Sequence, residues 1–482
     1  MHGNITRSMV DQDLERDLAE LLHIARWQGL RLHQFKLELN APGDRFRNET
    51  RNALLEVVDG LLPGIDVLVE ELTRASAETP LETIRDRLRS LQGIVASVCA
   101  SLDWQSPSYK HAMISQAGVQ AGHIQGTVND YKRDGHLDAR SYEHAFIRAY
   151  VDHPLLTPVH AYTCSSGMAA FTTIVHALQK LGALSGPIVL GENSYFENKI
   201  VLNDLFADEI VEVDELDTQA VLDAVRREKP RAIFLDSWCN TETLAIPDLA
   251  TILPTLAREC QHETYLVLDN SGLASSVQPV KLLPPGNRHL KLIVFESLNK
   301  HHQFGMDRVT GGIIWTPGFD GHGLYAAREH LGTIMSDASV LALPAPNREI
   351  LSGRLARLER NALMMANALQ DHLKQKTLAP FSRVVYPGRG ASLVLAFKPS
   401  VPRVPFAQAF IAAAIAEAKH RRVDLLAGTS FGLNTTRVYL TALHAHGNAK
   451  PFLRVSPGIE SATQTQILIE IFKAAIDRVA LP

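Results

Sequence analysis

Four short stretches carry residue types that could do chemistry. In "LVLDNSGLASS" (266–276) Asp269 closes an apolar run that reads as a buried strand. A carboxylate at the lip of a core strand is either functional or a cap for the turn that follows, where Asp is favoured. In "KLIVFESLNKHHQFGMDRVTGG" (291–312) Lys300 comes just after another buried strand, and Gly311 and Gly312 follow where backbones can approach closely. A lone lysine is otherwise solvated surface. In "VHAYTCSSGMAAFTTIVHAL" (159–178) a strand, a small-residue turn and a helix succeed one another. Ser165, Ser166, Gly167 and Met168 then sit at the helix N-terminus, where free N–H groups and the helix dipole favour an anion. The plainer reading is a helix cap with a glycine. Arg454, in "PFLRVSPGIES", is a guanidinium between apolar neighbours. It suits a bidentate grip on a carboxylate or an ordinary salt bridge.

Such residues need elements to hold them. Residues 8 to about 105 repeat apolar positions at three- and four-residue steps (Val10, Leu14, Leu18, Leu21, Leu22) and predict helices, punctuated by Pro63 and Pro80. From about residue 155 short apolar runs ("PIVLGE", "RAIFLDS", "TYLVLDN", "KLIVFES") alternate with helical stretches. That alternation predicts a mostly parallel sheet covered on both faces, with ligands outside the carboxyl ends of its strands. Asp236, Asp269 and Glu296 all fall at such ends. A long amphipathic helix and a mixed α/β tail from about 380 complete the chain. The expected division is a helical region over 1–128, a large domain over 129–345 and a small C-terminal α/β domain over 346–482.

The composition is ordinary for a globular protein: 482 residues, 46% hydrophobic, 21% charged, net charge -4. No basic run suggests nucleic acid, and no apolar run is long enough for a membrane span. Cys99, Cys164, Cys239 and Cys260 have no metal or disulfide spacing. The adjacent pair His301–His302 is a poor metal site, because neighbours on a helix or strand face different ways. No metal is expected. The cysteine usage and the absence of a signal-like N-terminus suggest a reduced, cytoplasmic setting.

The order of these pieces is more specific than any one of them. A phosphate-type turn, Tyr195 in "GENSYFENK", Asn240 in "FLDSWCNTET", the strand-end Asp269, Lys300 and the C-terminal Arg454 resemble the pyridoxal-phosphate enzymes of cysteine and methionine metabolism. That family includes cystathionine synthases and lyases and methionine γ-lyase. "RLERNALMMANAL" (357–369) resembles its Arg–Asn–Ala helix, and "YKRDGHLDARSYEHAF" (131–146) its Tyr-x-Arg segment. The resemblance spans about residues 129 to 475. It implies the aspartate-aminotransferase-like fold, fold type I, with the N-terminal helices as an extension. It implies pyridoxal 5′-phosphate bound as a Schiff base on Lys300, with Asp269 facing the pyridine nitrogen and Tyr195 stacked on the ring as acid or base. Ser166, Gly167, Met168, Ser297 and Asn299 would surround the phosphate, and Asn240 would meet the ring oxygen. Arg454, with Thr429 and Ser430, would hold the substrate. Tyr131 and Arg133 would reach the phosphate of a neighbouring subunit, so a homo-oligomer with shared sites is implied.

Several positions depart from the family. Asn299 stands where a Thr is usual. Phe196–Glu197–Asn198 replaces a glycine-rich stretch after the stacking tyrosine, and "LLAGTSFGLNTTRVY" (425–439) replaces the usual Ser-Leu-Gly stretch. The reaction expected is elimination or replacement at Cγ or Cβ of an α-amino acid, expelling a sulfur- or oxygen-linked group. An aminotransferase or decarboxylase on the same scaffold is one alternative, and a non-catalytic relative is the other. The Tyr-x-Arg segment and the 357–369 helix argue against the first. Retention of both Asp269 and Lys300 argues against the second. The long N-terminal region leaves room for a large substrate such as a nucleoside-bearing sulfonium amino acid.

Overall fold

The computed structural model describes residues 7–40, 48–76, 79–101, 132–153, 157–318, 322–442 and 450–479. Tyr131 lies outside them. The N-terminal helices are α1 (Arg7–Leu39), α2 (Asn48–Thr73) and α3 (Leu81–Ala100). Helix α4 (Leu137–Tyr150), strand β1 (Val159–Cys164) and helix α5 (Gly167–Lys180) follow. Then come β2 (Ile188–Gly191), α6 (Phe196–Phe206), β3 (Ile210–Val213), α7 (Thr218–Glu228), β4 (Ala232–Asp236), α8 (Leu249–Glu259) and β5 (Thr264–Asp269). Strands β6 (Leu290–Ser297) and β7 (Gly312–Pro317) lead to α9 (His322–Leu331), α10 (Asp337–Ala342) and the long α11 (Arg348–Lys374). The C-terminal part holds β8 (Phe381–Val385), β9 (Leu393–Phe397), α12 (Arg403–Arg421), β10 (Leu426–Ala427), β11 (Arg437–Thr441), β12 (Phe452–Ser456) and α13 (Ala462–Arg478).

The chain forms two compact units, each assembled from separate stretches: Leu14–Ala183 with Leu292–Ile350, and Met1–Asp13 with Leu184–Lys291 and Leu351–Pro482. In the first unit β1 and β6 both pair antiparallel with β7. Their residues from Ala161, Leu292 and Gly312 onward are buried almost without break. The N-terminal helices pack around Leu32, Phe35, Leu39, Val58, Leu62, Ile65 and Val95. A buried ion pair ties α3 to α1, Arg85 to Asp17 at 2.6 Å. Pro80 caps α3 as expected, but Pro63 lies inside α2 and does not interrupt it. A proline removes one helical hydrogen bond and normally breaks or kinks the helix. Here Val58, Leu62, Ile65 and Leu68 are buried on both sides of it and hold the helix together.

In the second unit the strands run β5-β4-β2-β3, all parallel, and β2 and β4 are buried along their whole length. Continuous apolar runs are what a sheet covered on both faces requires. A separate five-stranded sheet, ordered β10-β11-β12-β9-β8, is antiparallel except for β10 with β11. Its core combines Leu393, Leu395, Phe397, Val438 and Val455 with Phe410 of α12 and Phe472 of α13, whose rings stack 6.0 Å apart.

Candidate active site

The expected site residues form two clusters, one in each unit. The first is built on the turn between β1 and α5. Ser166 is the N-cap of α5, and its Oγ accepts from the Ala169 N–H at 2.9 Å. The Gly167 and Met168 N–H groups are left without an intrahelical acceptor, as the first turn of any helix dictates. A Cβ on Gly167 would lie 3.0 Å from the Ser297 Cβ, so the turn meets the end of β6 directly. A Cβ on Gly312 would lie 2.3 Å from the Ser166 carbonyl oxygen. Two strand ends and a helix start thus converge only because glycine stands at 167 and 312.

Lys300 follows β6 by three residues, in a turn that begins at Leu298. The turn is braced from below. Asn299 Oδ1 accepts from Gly311 N–H at 2.8 Å, and Leu298 N–H donates to the Gly311 carbonyl at 2.9 Å. The amide that replaces the family's Thr therefore ties down the lysine turn through its carbonyl. Arg133 has a side chain 63% exposed, with Nε 3.2 Å from Asp134 Oδ1. Glu296 does not join the functional residues, contrary to its strand-end position. It is buried, with Oε2 2.7 Å from His302 Nε2 and Oε1 accepting from Trp315 Nε1 at 3.1 Å. Alternation along β6 turns it away from Ser297, into a core that includes Phe146 and Tyr150.

The second cluster lies at the carboxyl ends of β4 and β5. Asp236 and Asp269 are the last residues of these strands and stand in register. Asp269 is part-buried, and Asn198 Nδ2 approaches its Oδ2 at 3.5 Å. Asp236 is buried and accepts the Tyr195 backbone N–H at 2.9 Å. Burial first, then the charges of Asp269 and Glu215, hold the Asp236 carboxyl well above the usual range. Burial also raises Glu215, which accepts from the Asn193 backbone and from the Cys239 thiol. Asp236 anchors the Tyr195 backbone N–H with a carboxyl that burial pushes toward its protonated form.

Tyr195 is the N-cap of α6, and its hydroxyl donates to Glu197 Oε2 at 2.9 Å. Burial, then the hydrogen bond and charge of Glu197, push its phenol up, with Asp269 adding to the effect and Arg454 opposing it. Arg454, on β12, is buried and carries no carboxylate partner among the described residues. It donates to Asn240 Oδ1 at 2.6 Å and to the Ser430 carbonyl at 3.3 Å. Its guanidinium lies 5.7 Å from the centre of the Phe431 ring, and its Nε has no hydrogen-bond partner. Burial lowers its pKa to about 10, so it remains a cation at neutral pH. Ser430 holds a left-handed backbone, φ 77°, beside it, while Thr429 is exposed. Glu197, Asn198, Asp236 and Phe431 take part without having been assigned roles from sequence. For Glu197 and Asn198 the signal was present: polar residues two and three positions after Tyr195, in place of glycines.

Among the described residues no group of His, Cys, Asp and Glu could hold a metal ion, and no helix is long and apolar enough to cross a membrane. The mostly parallel strands with their helices, together with the smaller separate sheet, are those of the fold type I pyridoxal-phosphate enzymes. Residues 95–392 match the family described as Cys/Met metabolism PLP-dependent enzyme, and the chain belongs to that family. It is 23% identical over 388 residues to the bifunctional enzyme flvA of Aspergillus flavus, an alignment covering 78% of this chain. The chain spans only 46% of that relative's length. The fold is shared with cystathionine gamma synthase from Xanthomonas oryzae pv. oryzae, at TM-score 0.56 and 19% identity, covering 74% of this chain and 91% of that one. It is shared equally with cystathionine gamma-lyase from Lactobacillus plantarum, at TM-score 0.56 and 20% identity, covering 73% and 90%.

Taken separately, the residues of each cluster fit a part of pyridoxal 5′-phosphate. The first unit offers free N–H groups at the start of α5, next to a serine hydroxyl, as an anion requires. The second offers a strand-end carboxyl group, Asp269, and the aromatic ring of Tyr195, groups suited to a protonated pyridine.

Proposed function

We propose that this protein is a pyridoxal-phosphate enzyme that eliminates or replaces a sulfur- or oxygen-linked group at Cβ or Cγ of an α-amino acid. The observation that carries the substrate class is Arg454. A buried guanidinium with an unpartnered Nε and no carboxylate among the described residues is costly unless an anion joins it. The α-carboxylate of an amino acid supplies that anion and matches the planar fork. Asn240 holds the fork in place through its carbonyl.

When bound, the cofactor accepts the electron pair released at the substrate's α-carbon. The chain's own residues do the rest. Gly167, Met168 and Ser297 would hold the phosphate, and Asp269 would keep the ring nitrogen protonated. Lys300 would hold the cofactor covalently, and its amine, once free, would take the α-proton. Tyr195 covers the ring and handles protons at the leaving group. Arg133 and Tyr131 complete the phosphate pocket of a partner subunit, in a homo-oligomer that works in the cytoplasm.

Two experiments test this reading. Borohydride treatment of the cofactor-loaded protein should fix pyridoxyl mass on the Lys300 peptide. Mass on a different lysine would overturn the assignment. The loaded protein is then incubated with Cβ- and Cγ-substituted amino acids, including a nucleoside-bearing sulfonium amino acid. Mass spectrometry should find a product lacking the leaving group. Exclusive formation of a keto acid that retains it, or of carbon dioxide, would identify an aminotransferase or decarboxylase.

A further inference from the structure

We propose that Glu197 holds Tyr195 as a neutral phenol across the working pH range, so that Tyr195 serves this enzyme as a proton donor and not as a phenolate base. Glu197 acts through Tyr195 and is a positioning residue. The inference rests on the reaction proposed above for the direction of proton transfer, but not for the interaction itself.

The geometry is local and specific. Tyr195 caps α6, and Glu197 sits in the first turn of that helix. The phenol donates to Glu197 Oε2 at 2.9 Å. A neutral donor facing a carboxylate makes a charge-assisted bond that exists only while the phenol keeps its proton. Ionising Tyr195 would remove that bond and set two negative charges side by side. The other groups facing the phenol do not reverse this. Among the described residues, Asp269 on β5 also raises the phenol and Arg454 on β12 opposes it. Asp236 reaches the Tyr195 backbone N–H, and burial pushes its carboxyl well above the usual range. The backbone N–H bond fixes where the residue begins, and the Phe196 ring, 5.2 Å from that of Tyr195, packs edge-on against it.

The proton balance follows. In the elimination step the carbon–sulfur or carbon–oxygen bond breaks, its electron pair leaves with the sulfur or oxygen, and that atom takes the proton as the Tyr195 O–H bond breaks. The phenolate left behind regains a proton from solvent before the next turnover. Without Glu197 the phenol would ionise at lower pH, and the donor would be lost earlier as pH rises.

The test has one arm that needs neither cofactor nor substrate. The apo protein is labelled with 3,5-difluorotyrosine, whose ring fluorines bring phenol ionisation into a range where the fold is stable. The Tyr195 fluorine resonance is assigned by its disappearance in Tyr195→Phe. Glu197→Gln should lower its titration midpoint by about one pH unit or more, the size of one charge-assisted hydrogen bond. An unchanged or raised midpoint in the folded variant overturns the proposal. If Glu197→Gln does not fold, Glu197→Asp keeps the charge but shortens the reach, and should give a smaller downward shift. No shift there overturns it equally. The second arm is the pH profile of kcat/KM on whichever substrate the product screen identifies. Glu197→Gln should move the alkaline limb to lower pH. A profile that instead gains activity toward high pH would make Tyr195 a base and overturn the proposal. Failure of the screen would count against the reaction class alone, because the fluorine titration stands without it.

Discussion

Arg454 and Asp236 show how single residues here hold charge in opposite ways. Arg454 keeps its charge despite burial, through Asn240, the Ser430 carbonyl and the Phe431 ring. Arg454→Lys retains a cation but loses the fork, and a lysine cannot span Asn240 and a carboxylate in the same plane. Its KM for the amino-acid substrate should rise about 10-fold or more, the value of one charge-assisted hydrogen bond, with a smaller change in kcat. A normal KM with an altered melting temperature would make Arg454 a structural residue. Asp236 is pushed toward its neutral form. Its folded-state pKa is raised, so the native state binds more protons than the unfolded state between the two values. Stability therefore falls as pH rises from the ordinary aspartate range toward the raised pKa. Asp236→Asn keeps an acceptor for the Tyr195 N–H and removes that loss. Melting curves of the apo protein should show the variant gaining on wild type as pH rises above about 4, with little difference below it. A variant less stable at every pH would mean that Asp236 is ionised in the fold. Of these residues, Asp269, Lys300 and Arg454 were legible in sequence because each adjoins an apolar strand. The state of Asp236 was not, because it depends on Glu215 and Asp269, 21 and 33 positions away.

At the scale of elements, the phosphate-type turn works by close approach. Gly311 and Gly312 look alike in sequence, but they meet different neighbours. A Cβ at 312 would lie 2.3 Å from the Ser166 carbonyl oxygen and 2.8 Å from the Gly167 nitrogen, both backbone. A Cβ at 311 would meet chiefly the tip of the Met335 side chain, which can swing aside. Gly312→Ala should displace the start of α5 from the end of β6 and cost about 1–3 kcal/mol of stability. It should also lower cofactor affinity, read by equilibrium titration of apo protein with pyridoxal phosphate. Gly311→Ala should bind the cofactor nearly as wild type does, and equal loss in the two variants would refute the close-approach argument. The strand–turn–helix order was readable from apolar runs and small residues. The unbroken α2 was not, because the burial of Leu62 and Ile65 outweighs the local effect of Pro63. The N-terminal helices also acquire a role that no motif announced. Arg89 of α3 donates to the Met306 carbonyl at 2.8 Å, and His23 of α1 meets Phe304 edge-on at 6.0 Å. Both contacts fall on the segment just after Lys300, where Phe304 and Asp307 hold left-handed backbone. The extension therefore braces the lysine turn.

At the scale of the whole molecule, Arg133 stands at the surface. Its side chain is largely exposed, and its near neighbours are Asp134 and Gly332. Lys132, the residue before it, is buried against Asp337, so the backbone is anchored while the Arg133 side chain points outward. An anchored, outward-facing arginine is suited to a partner. A phosphate group carries about two negative charges, which a helix N-terminus and a hydroxyl offset only in part. If Arg133 completes the phosphate pocket of a neighbouring subunit, Arg133→Ala homo-oligomers should retain cofactor poorly. Lys300→Ala homo-oligomers should lack the covalent attachment. Neither should be active alone. Mixed oligomers can bring the intact Lys300 of one chain together with the intact Arg133 of another. Co-refolding the two variants should then restore activity toward half of the wild-type sites, in proportion to mixed species counted by native mass spectrometry. Mixed oligomers without activity would remove Arg133 from the shared site. Full activity of Arg133→Ala alone would do the same, and would leave the phosphate to Gly167, Met168 and Ser297.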